Sequence, residues 1–225
     1  MSGASAKAKL GSGKLANIGK TVRKRLTKHE RVEIVTSGII ELFIVQGFLT
    51  EQECIDLMTL IDATSRPSTL YKGTEIEGFR TSYSGDLDPF HPLVQIVEGR
   101  ICNLMGVDKR HGETLQGQRY AMGQLFKPHH DFFHANQSYW DMERARGGQR
   151  SWTAMIYLNE PEGGGETNFP RAGMCVSPRT AMLVLWNNMD ALGAPNELTL
   201  HEGCPVSGGT KYIVTKWFRE HFWAK

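Results

Sequence analysis

Two stretches in the first half of the chain show the pattern of helices. Residues 92–105 carry an apolar stripe at helical spacing, begin with Pro92 and are followed by Gly106, a residue suited to ending a helix. The stripe comprises Leu93, Val97, Ile101 and Leu104. A second helix is predicted over residues 50–63, because Thr50 followed by Glu53 forms the capping-box pattern of a helix start.

From Leu115 onward, short runs of β-forming residues alternate with Gly, Pro and Asn. The runs are "TLQGQRYAM", "SWTAMIYLNE", "GMCVS", "TAMLVLWNN", "LTLHEGCPV" and "KYIVTKWFRE", and the strand-like "VEIV" and "IIELFIVQGFL" precede the first helix. Many short strands with such punctuation indicate a β-sandwich or barrel. We therefore predict one domain over residues 32–225, mainly β with flanking helices (α+β) and with a jelly-roll core.

Charge separates the N-terminus from this domain. Residues 1–31 contain nine Lys or Arg and one Glu, whereas the other 194 residues contain 17 basic and 23 acidic side chains. The N-terminal stretch is also rich in Gly, Ser and Ala, so we predict a flexible basic arm, or a loosely formed helix, that does not join the core. A solubilising tail explains this composition more simply than a nucleic-acid partner does.

Composition also bears on the compartment. The four cysteines are widely spaced and lack a C-x-x-C motif, which is typical of free thiols in a reducing compartment. The longest apolar run, residues 38–49, is shorter than the roughly 20 residues of a membrane span and is interrupted by Glu41 and Gln46. The N-terminus lacks the apolar segment of a secretory signal. We expect a cytoplasmic protein, monomeric or homodimeric, with no membrane partner.

The segment "KPHHDFF" holds the candidate chemistry. On a strand, His129 and Asp131 point to the same face while His130 points away. A histidine and a carboxylate on one face are two thirds of the triad that binds Fe(II) in oxygenases and leaves positions open for oxygen and a co-substrate. The triplet alone is weak support, because such residues more often form ordinary hydrogen bonds.

The third ligand has to come from another part of the chain. The candidates are His29, His91, His111, His134, His201 and His221. His201 is our choice because it lies within the β half and just before a Gly-rich turn, whereas His134 lies in a predicted loop.

Lys211, ten residues after His201, strengthens this hypothesis. A lysine buried beside a metal needs an anion, and the distal carboxylate of 2-oxoglutarate would supply one. A flat hairpin at residues 207–209 would separate Lys211 from His201 by roughly 16 Å at ~3.3 Å per residue, too far for this five-carbon acid. The chain must therefore cross between two sheets at this turn.

Several separated motifs resemble the prolyl 4-hydroxylase family of Fe(II)/2-oxoglutarate-dependent dioxygenases. They are "FRTSYSG", "YAMGQLFKPHHDFF", "GGQRSWTAMIYLNEPEGGGETNFP" and "LHEGCPVSGGTKYIVTKWF", and the likeness extends from about Leu42 to Phe222. The resemblance implies a double-stranded β-helix core with iron on His129, Asp131 and His201. It also implies 2-oxoglutarate and O2 as co-substrates, ascorbate as a cofactor and peptidyl proline as the substrate.

The resemblance further implies roles around the iron. Lys211 would bind the far carboxylate of 2-oxoglutarate, helped by Thr167 and by the hydroxyl of Tyr120. Trp217 shares strand parity with Lys211 and is predicted to line the same cavity, although it could equally be a core residue. We expect an apolar wall made of Phe126, Phe132, Leu185 and Trp217.

The substrate contacts are the least determined part of the site. Arg150 of "GGQR" matches a substrate-contacting position of the family, although it could also be a surface ion pair. Phe126 stands where the family usually has tyrosine, so a hydroxyl near the substrate is missing. Residues 134–148 could close over the substrate, with Tyr139 and Trp140 stacking on the proline ring or else pinning the loop to the core.

Three other functions remain open at this point. A zinc hydrolase could use the same three ligands, but it gives Lys211 no role. A 2-oxoglutarate dioxygenase could act on a different residue or on a small molecule. A non-catalytic jelly-roll binding module is the third alternative, and the intact ligand set argues against it.

Overall fold

Fourteen strands and four α-helices form the described part of this computed structural model, which comprises residues 11–36, 39–69 and 78–224. The helices are α1 (Gly13–Leu26), α2 (Glu51–Thr64), α3 (Pro92–Met105) and α4 (Trp140–Ala145). The strands are β1 (Glu33–Thr36), β2 (Glu41–Val45), β3 (Arg66–Pro67), β4 (Tyr83–Asp86), β5 (Gln116–Tyr120), β6 (Phe126–His129), β7 (Arg150–Tyr157), β8 (Gly163–Gly164), β9 (Thr167–Phe169), β10 (Met174–Val176), β11 (Met182–Asn187), β12 (His201–Gly203), β13 (Val206–Gly208) and β14 (Lys211–Arg219).

The two helices predicted from the sequence are confirmed, together with their end signals. The Thr50 side chain accepts a hydrogen bond from the Glu53 backbone N–H, and the Glu53 carboxylate accepts one from the Thr50 N–H. Pro92 opens α3, and Gly106 ends it in the left-handed conformation at φ +67°. Both helices therefore start and stop where local chemistry satisfies their free backbone groups.

The strands form antiparallel sheets, as expected for a jelly roll. In the described residues, the large sheet has the order β1-β2-β11-β7-β14-β5-β4-β3, the small sheet has the order β10-β9-β12-β6, and β13 pairs with β8. No helix of the described residues is long and apolar enough to cross a membrane. The four cysteines are free thiols, as predicted.

Alternate residues of the large sheet face two different cores. On β7, Trp152, Ala154 and Ile156 pack with the helices, whereas Met155 and Tyr157 pack against residues of the small sheet. The candidate site lies on this second face, between the two sheets.

The chain crosses between the sheets in the region of the Gly-rich turn, as the sequence required. His201 begins β12 in the small sheet, and Lys211 begins β14 in the large sheet. Between them, β13 pairs with β8, so that residues 201–211 do not form a flat hairpin. The crossing confirms the predicted arrangement that allows His201 and Lys211 to line one cavity.

The prediction of a flexible arm is wrong for the part of the N-terminus that the structure describes. Ser12 caps α1 by accepting a hydrogen bond from the Leu15 N–H. Leu15, Val22 and Leu26 are buried, and the last two belong to the core beneath the large sheet. Because these apolar residues share one helix face, the folded unit extends at least to residue 13. Residues 1–10 lie outside the described part of the chain.

We predict that Leu26→Ala lowers the free energy of unfolding by about 2–5 kcal/mol, because its fully buried side chain leaves a cavity in the core. Lys20→Ala, on the exposed face of the same helix, is the matched control and should change stability by about 0.5 kcal/mol or less. Urea unfolding of the three proteins measures both effects. Equal stability of the two variants would restore the interpretation of a detached arm.

Candidate active site

Three potential metal ligands converge between the sheets. His129 is the last residue of β6, Asp131 follows two residues later, and His201 begins β12. His129 and His201 are directly paired across the two strands. One ligand atom from each of the three residues lies within 4.8 Å of the others. The sequence-based choice of His201 as the third member of the cluster is consistent with this geometry.

Hydrogen bonds orient each of these side chains. The Nδ1 atoms of His129 and His201 lie 2.8 and 2.9 Å from the carbonyl oxygens of Lys127 and Thr199. A carbonyl can only accept, so each Nδ1 carries the proton and each Nε2 keeps its lone pair for a metal. Asp131 Oδ2 accepts a hydrogen bond of 2.7 Å from the Thr153 hydroxyl.

The electrostatics suit a divalent cation. Burial lowers the pKa of His129 to about 3, so the imidazole is neutral at physiological pH. Burial by itself disfavours the Asp131 carboxylate, but His201, His129, Arg150 and the Thr153 hydroxyl together hold its pKa below the ordinary value. Two neutral imidazoles and one carboxylate are the donor set of a facial Fe(II) site. The residues present therefore fit an iron ion.

His130 points away from this cluster, as strand parity predicts. Its Nε2 lies 3.2 Å from the carbonyl oxygen of Glu197, and its ring stacks on Phe132 with centroids 4.4 Å apart.

An inner cavity adjoins the three ligands and contains Lys211. This lysine is 1% exposed, and its Nζ donates a 2.7 Å hydrogen bond to the carbonyl oxygen of Gly165. Burial lowers the pKa of Lys211 to about 8. Among the described residues, no carboxylate lies within ion-pair distance of it. A buried ammonium without a counter-ion fits an anionic ligand such as 2-oxoglutarate.

Tyr120, Thr167 and Trp217 line the inner cavity, as expected. The Tyr120 hydroxyl donates to Gln118 Oε1 at 2.8 Å, and the Thr167 hydroxyl lies 2.5 Å from that of Tyr157. Trp217 Nε1 is buried and has no hydrogen-bond partner among the described residues, which leaves a donor for an acceptor bound in the cavity.

The predicted apolar wall is only half right. Phe126 and Trp217 line the inner cavity, and the Phe126 ring stacks on His129 with centroids 3.6 Å apart. Leu185 instead faces the helices on the other side of the large sheet, because strand parity turns it away. Its neighbour Trp186 faces the site, with its ring 5.0 Å from that of His201.

Phe132 is also absent from the lining of the inner cavity. It is buried in a separate cluster with Leu15 and Met189, next to α1. Phe132 shares the parity of His130, on which its ring stacks, and so points away from the cavity with it.

An outer cavity of about 520 Å³ opens from the ligands toward the surface. It shares five lining residues with the inner cavity, namely Arg80, Phe126, His129, Asp131 and Trp217. Arg150 also lines it: its guanidinium makes hydrogen bonds of 2.6 and 2.7 Å to the two oxygens of Glu113 and lies 4.1 Å from the Trp217 ring centroid. Arg150 thus forms an ion pair, as the alternative interpretation of the sequence held, but this pair lies in the cavity wall and not on the outer surface.

Tyr139 and Trp140 are not among the residues that line the outer cavity. Tyr139 packs edge-on against Phe133, with centroids 5.9 Å apart, and Trp140 begins α4. The contact with Phe133 fits the alternative in which Tyr139 pins the loop, and stacking of Tyr139 and Trp140 on a substrate ring stays a prediction.

Sequence reasoning missed several residues of the outer cavity, including Arg80, Glu113, Arg146 and Trp223. Arg80 lies in the "FRTSYSG" motif and could have been found there. Trp223 lies beyond the last strand, and no local sequence pattern indicates that it lines the cavity.

Comparisons with known proteins agree with this geometry. Residues 115–219 match the model of the 2OG-Fe(II) oxygenase superfamily. "Probable prolyl 4-hydroxylase 8" of Arabidopsis thaliana is 32% identical over 203 residues, which cover 80% of this chain and 68% of that protein. "Prolyl 4-hydroxylase 1" of the same plant is 31% identical over 207 residues and covers 83% and 71%.

A solved structure is also similar along most of the chain. The viral collagen prolyl hydroxylase of Paramecium Bursaria Chlorella virus-1, in complex with 2OG, superposes with a TM-score of 0.63 at 27% identity. The match covers 79% of this chain and 95% of the viral chain. The relatives and the converging ligand set agree, and the chain belongs to the prolyl 4-hydroxylase family of 2OG-Fe(II) oxygenases.

Proposed function

We propose that this protein hydroxylates prolyl residues in peptides or protein segments, consuming 2-oxoglutarate and O2 and releasing succinate and CO2. The observation that carries the proposal is the convergence of His129, Asp131 and His201 at the junction of two cavities. The inner cavity offers a buried ammonium to the co-substrate, and the outer one is large enough for a peptide segment. Relatives named prolyl 4-hydroxylases support the same substrate class.

The residues have separate tasks in this reaction. His129, Asp131 and His201 would hold Fe(II), and Lys211 would bind the distal carboxylate of 2-oxoglutarate. The bound iron and co-substrate supply the oxidising power that converts an unactivated C–H bond into C–OH. Phe126, Trp186 and Trp217 surround the ligands with apolar surface and exclude water from the reacting atoms. Arg150, fixed by Glu113, would orient the substrate chain.

Two further features belong to the proposal. Ascorbate would sustain turnover by keeping the iron reduced, as the family relationship implies. A reducing compartment such as the cytoplasm is supported by the four free cysteines.

The rival functions explain less of the site. A zinc hydrolase leaves the buried Lys211 without a purpose, and a pure binding module leaves the three oriented ligands without one. An outer cavity of about 520 Å³ would also suit a small molecule, and the relatives named prolyl 4-hydroxylases are what favours a prolyl substrate. Succinate formation from 2-oxoglutarate with Fe(II) and ascorbate separates the oxygenases from the first two rivals.

The substrate is tested with a panel of proline-containing peptides, lysine-containing peptides and free proline. We expect a mass gain of one oxygen on peptidyl proline and little on free proline, because an extended proline-rich chain costs little conformational entropy to bind. Mass spectrometry locates the modified residue. Preferential modification of lysine or free proline would overturn the prolyl assignment and leave the oxygenase class standing.

We expect His129→Ala, Asp131→Ala and His201→Ala each to abolish turnover and Fe(II) retention, because each removes one of three protein ligands. His130→Ala is the matched control: its ring contacts Glu197 and Phe132 instead, so it should keep its iron and most of its activity. Iron content and succinate formation are measured for all four variants. Equal loss of iron in His130→Ala would contradict the assigned ligand set.

Lys211→Met should raise the KM for 2-oxoglutarate by roughly tenfold to a hundredfold, since a hydrogen bond to a charged group contributes about 1.5–3 kcal/mol. The control is Lys216→Met on the same strand. Lys216 is equally buried but lies on the opposite face, paired with Glu98 at 2.5 Å. It should lose stability without a change in this KM. An unchanged KM in Lys211→Met would show that another cation binds the co-substrate.

The same lysine predicts a pH dependence. Burial lowers the pKa of Lys211 to about 8, so in the free enzyme the ammonium is present below this pH and is lost above it. Since the dianionic co-substrate binds the charged form, kcat/KM for 2-oxoglutarate should fall as the pH rises through about 8. Lys211→Met should lack this step. If kcat/KM of the variant fell over the same pH range, the titrating group would be one other than Lys211.

A further inference from the structure

One wall of the outer cavity is formed by two segments that pair with each other. Backbone hydrogen bonds join Glu220 N–H to the Gln149 carbonyl (2.8 Å), His221 N–H to that of Gly147 (2.9 Å), and Ala224 N–H to that of Arg146 (3.0 Å). The N–H of Trp223, between the last two donors, bonds to the Arg110 carbonyl at 2.8 Å. The backbone on both sides of Trp223 is therefore held in place by other parts of the fold.

Gly147 allows the two segments to approach closely. It has φ +135°, and a Cβ there would lie 3.3 Å from the Trp223 Cα and from the Phe222 carbonyl oxygen. A side chain at position 147 would strain the backbone and crowd this contact. The wall is thus a packed structure, and it presents Trp223 in a defined position.

The two neighbouring aromatic residues of this segment have different surroundings. Trp223 is half-buried and lines the outer cavity together with Phe79, Phe126 and Trp217. Phe222 does not line it: the Arg110 guanidinium carbon lies 4.0 Å from its ring centroid, and the His111 centroid lies 4.9 Å away. Of these two adjacent residues, Trp223 therefore contacts the outer cavity and Phe222 does not, so Phe222 can serve as a control for Trp223.

We propose that Trp223 is a specificity-determining residue, which binds the side chain of a substrate residue flanking the target proline and favours proline at that position. The inference rests on the proposed function. An extended polyproline chain advances about 3.1 Å per residue, so residues next to the target proline extend along the cavity, away from the iron ligands. Aromatic walls are the usual surface for binding such chains.

The test compares peptides that share one target proline and carry proline or glycine beside it. Wild-type protein should have the lower KM for the proline-flanked peptides. Trp223→Ala should raise that KM by about three- to tenfold, the effect of losing one aromatic contact, and should abolish the preference. Trp223→Phe should retain most of it, whereas Phe222→Ala should behave as wild type. Succinate formation without peptide should be unchanged in Phe222→Ala, whose side chain lines neither cavity.

Peptide affinity, measured by calorimetry on the same iron-loaded proteins, separates the two levels of the proposal. Equal affinities in Trp223→Ala and Phe222→Ala, or a preference for proline that persists in Trp223→Ala, would overturn the role of Trp223. Affinity lost only in Trp223→Ala, with no hydroxylation by wild type, would support the Trp223 contact and overturn the proposed reaction.

Discussion

The pairing of β6 with β12 is the contact on which the candidate site depends. It sets His129 directly opposite His201, and each imidazole is oriented by the backbone carbonyl two residues before it. Asp131 lies beyond the end of β6 and is held by Thr153, which belongs to the large sheet. The geometry of the three candidate ligands therefore depends on the relative position of the two sheets. A shift of the two sheets relative to each other would remove the Thr153 hydrogen bond from the Asp131 carboxylate.

Charges buried in this protein fall into two groups. Lys216 is paired with Glu98, and Arg150 with Glu113, so their desolvation is offset within the chain. Lys211 begins the strand that also carries Lys216, but its hydrogen bond goes to a neutral carbonyl, and its pKa is lowered by burial. The strand thus carries one buried lysine that is paired within the fold and one that we propose binds a ligand. The second arrangement costs stability, and a bound carboxylate would recover it.

Predictions from the sequence were right where a local pattern allows only one structure. They failed where two structures produce the same pattern. The caps of α2 and α3 gave their ends within one residue, and strand parity separated His129 from His130. In β11, "MLVLWN" is buried on both faces, so the pattern could not tell Leu185 from Trp186. In α1 the apolar stripe is diluted by lysines and arginines, which made a packed helix resemble a tail. Trp223 depends on tertiary pairing that no local pattern encodes.

The Phe126 side chain contacts one of the proposed iron ligands and also lines the cavity that we propose for the substrate. Its ring stacks nearly parallel to that of His129, at an interplanar angle of 16°, and lies beneath the Arg80 guanidinium. This contact preserves the packing of an aromatic residue but offers the substrate no hydroxyl. Polar orientation of a peptide must then come from other residues, and the arginines that line the outer cavity are Arg80, Arg146 and Arg150. Because the centre of the site offers the substrate fewer polar contacts, the proposed contact of Trp223 with a flanking substrate residue contributes more to substrate selection.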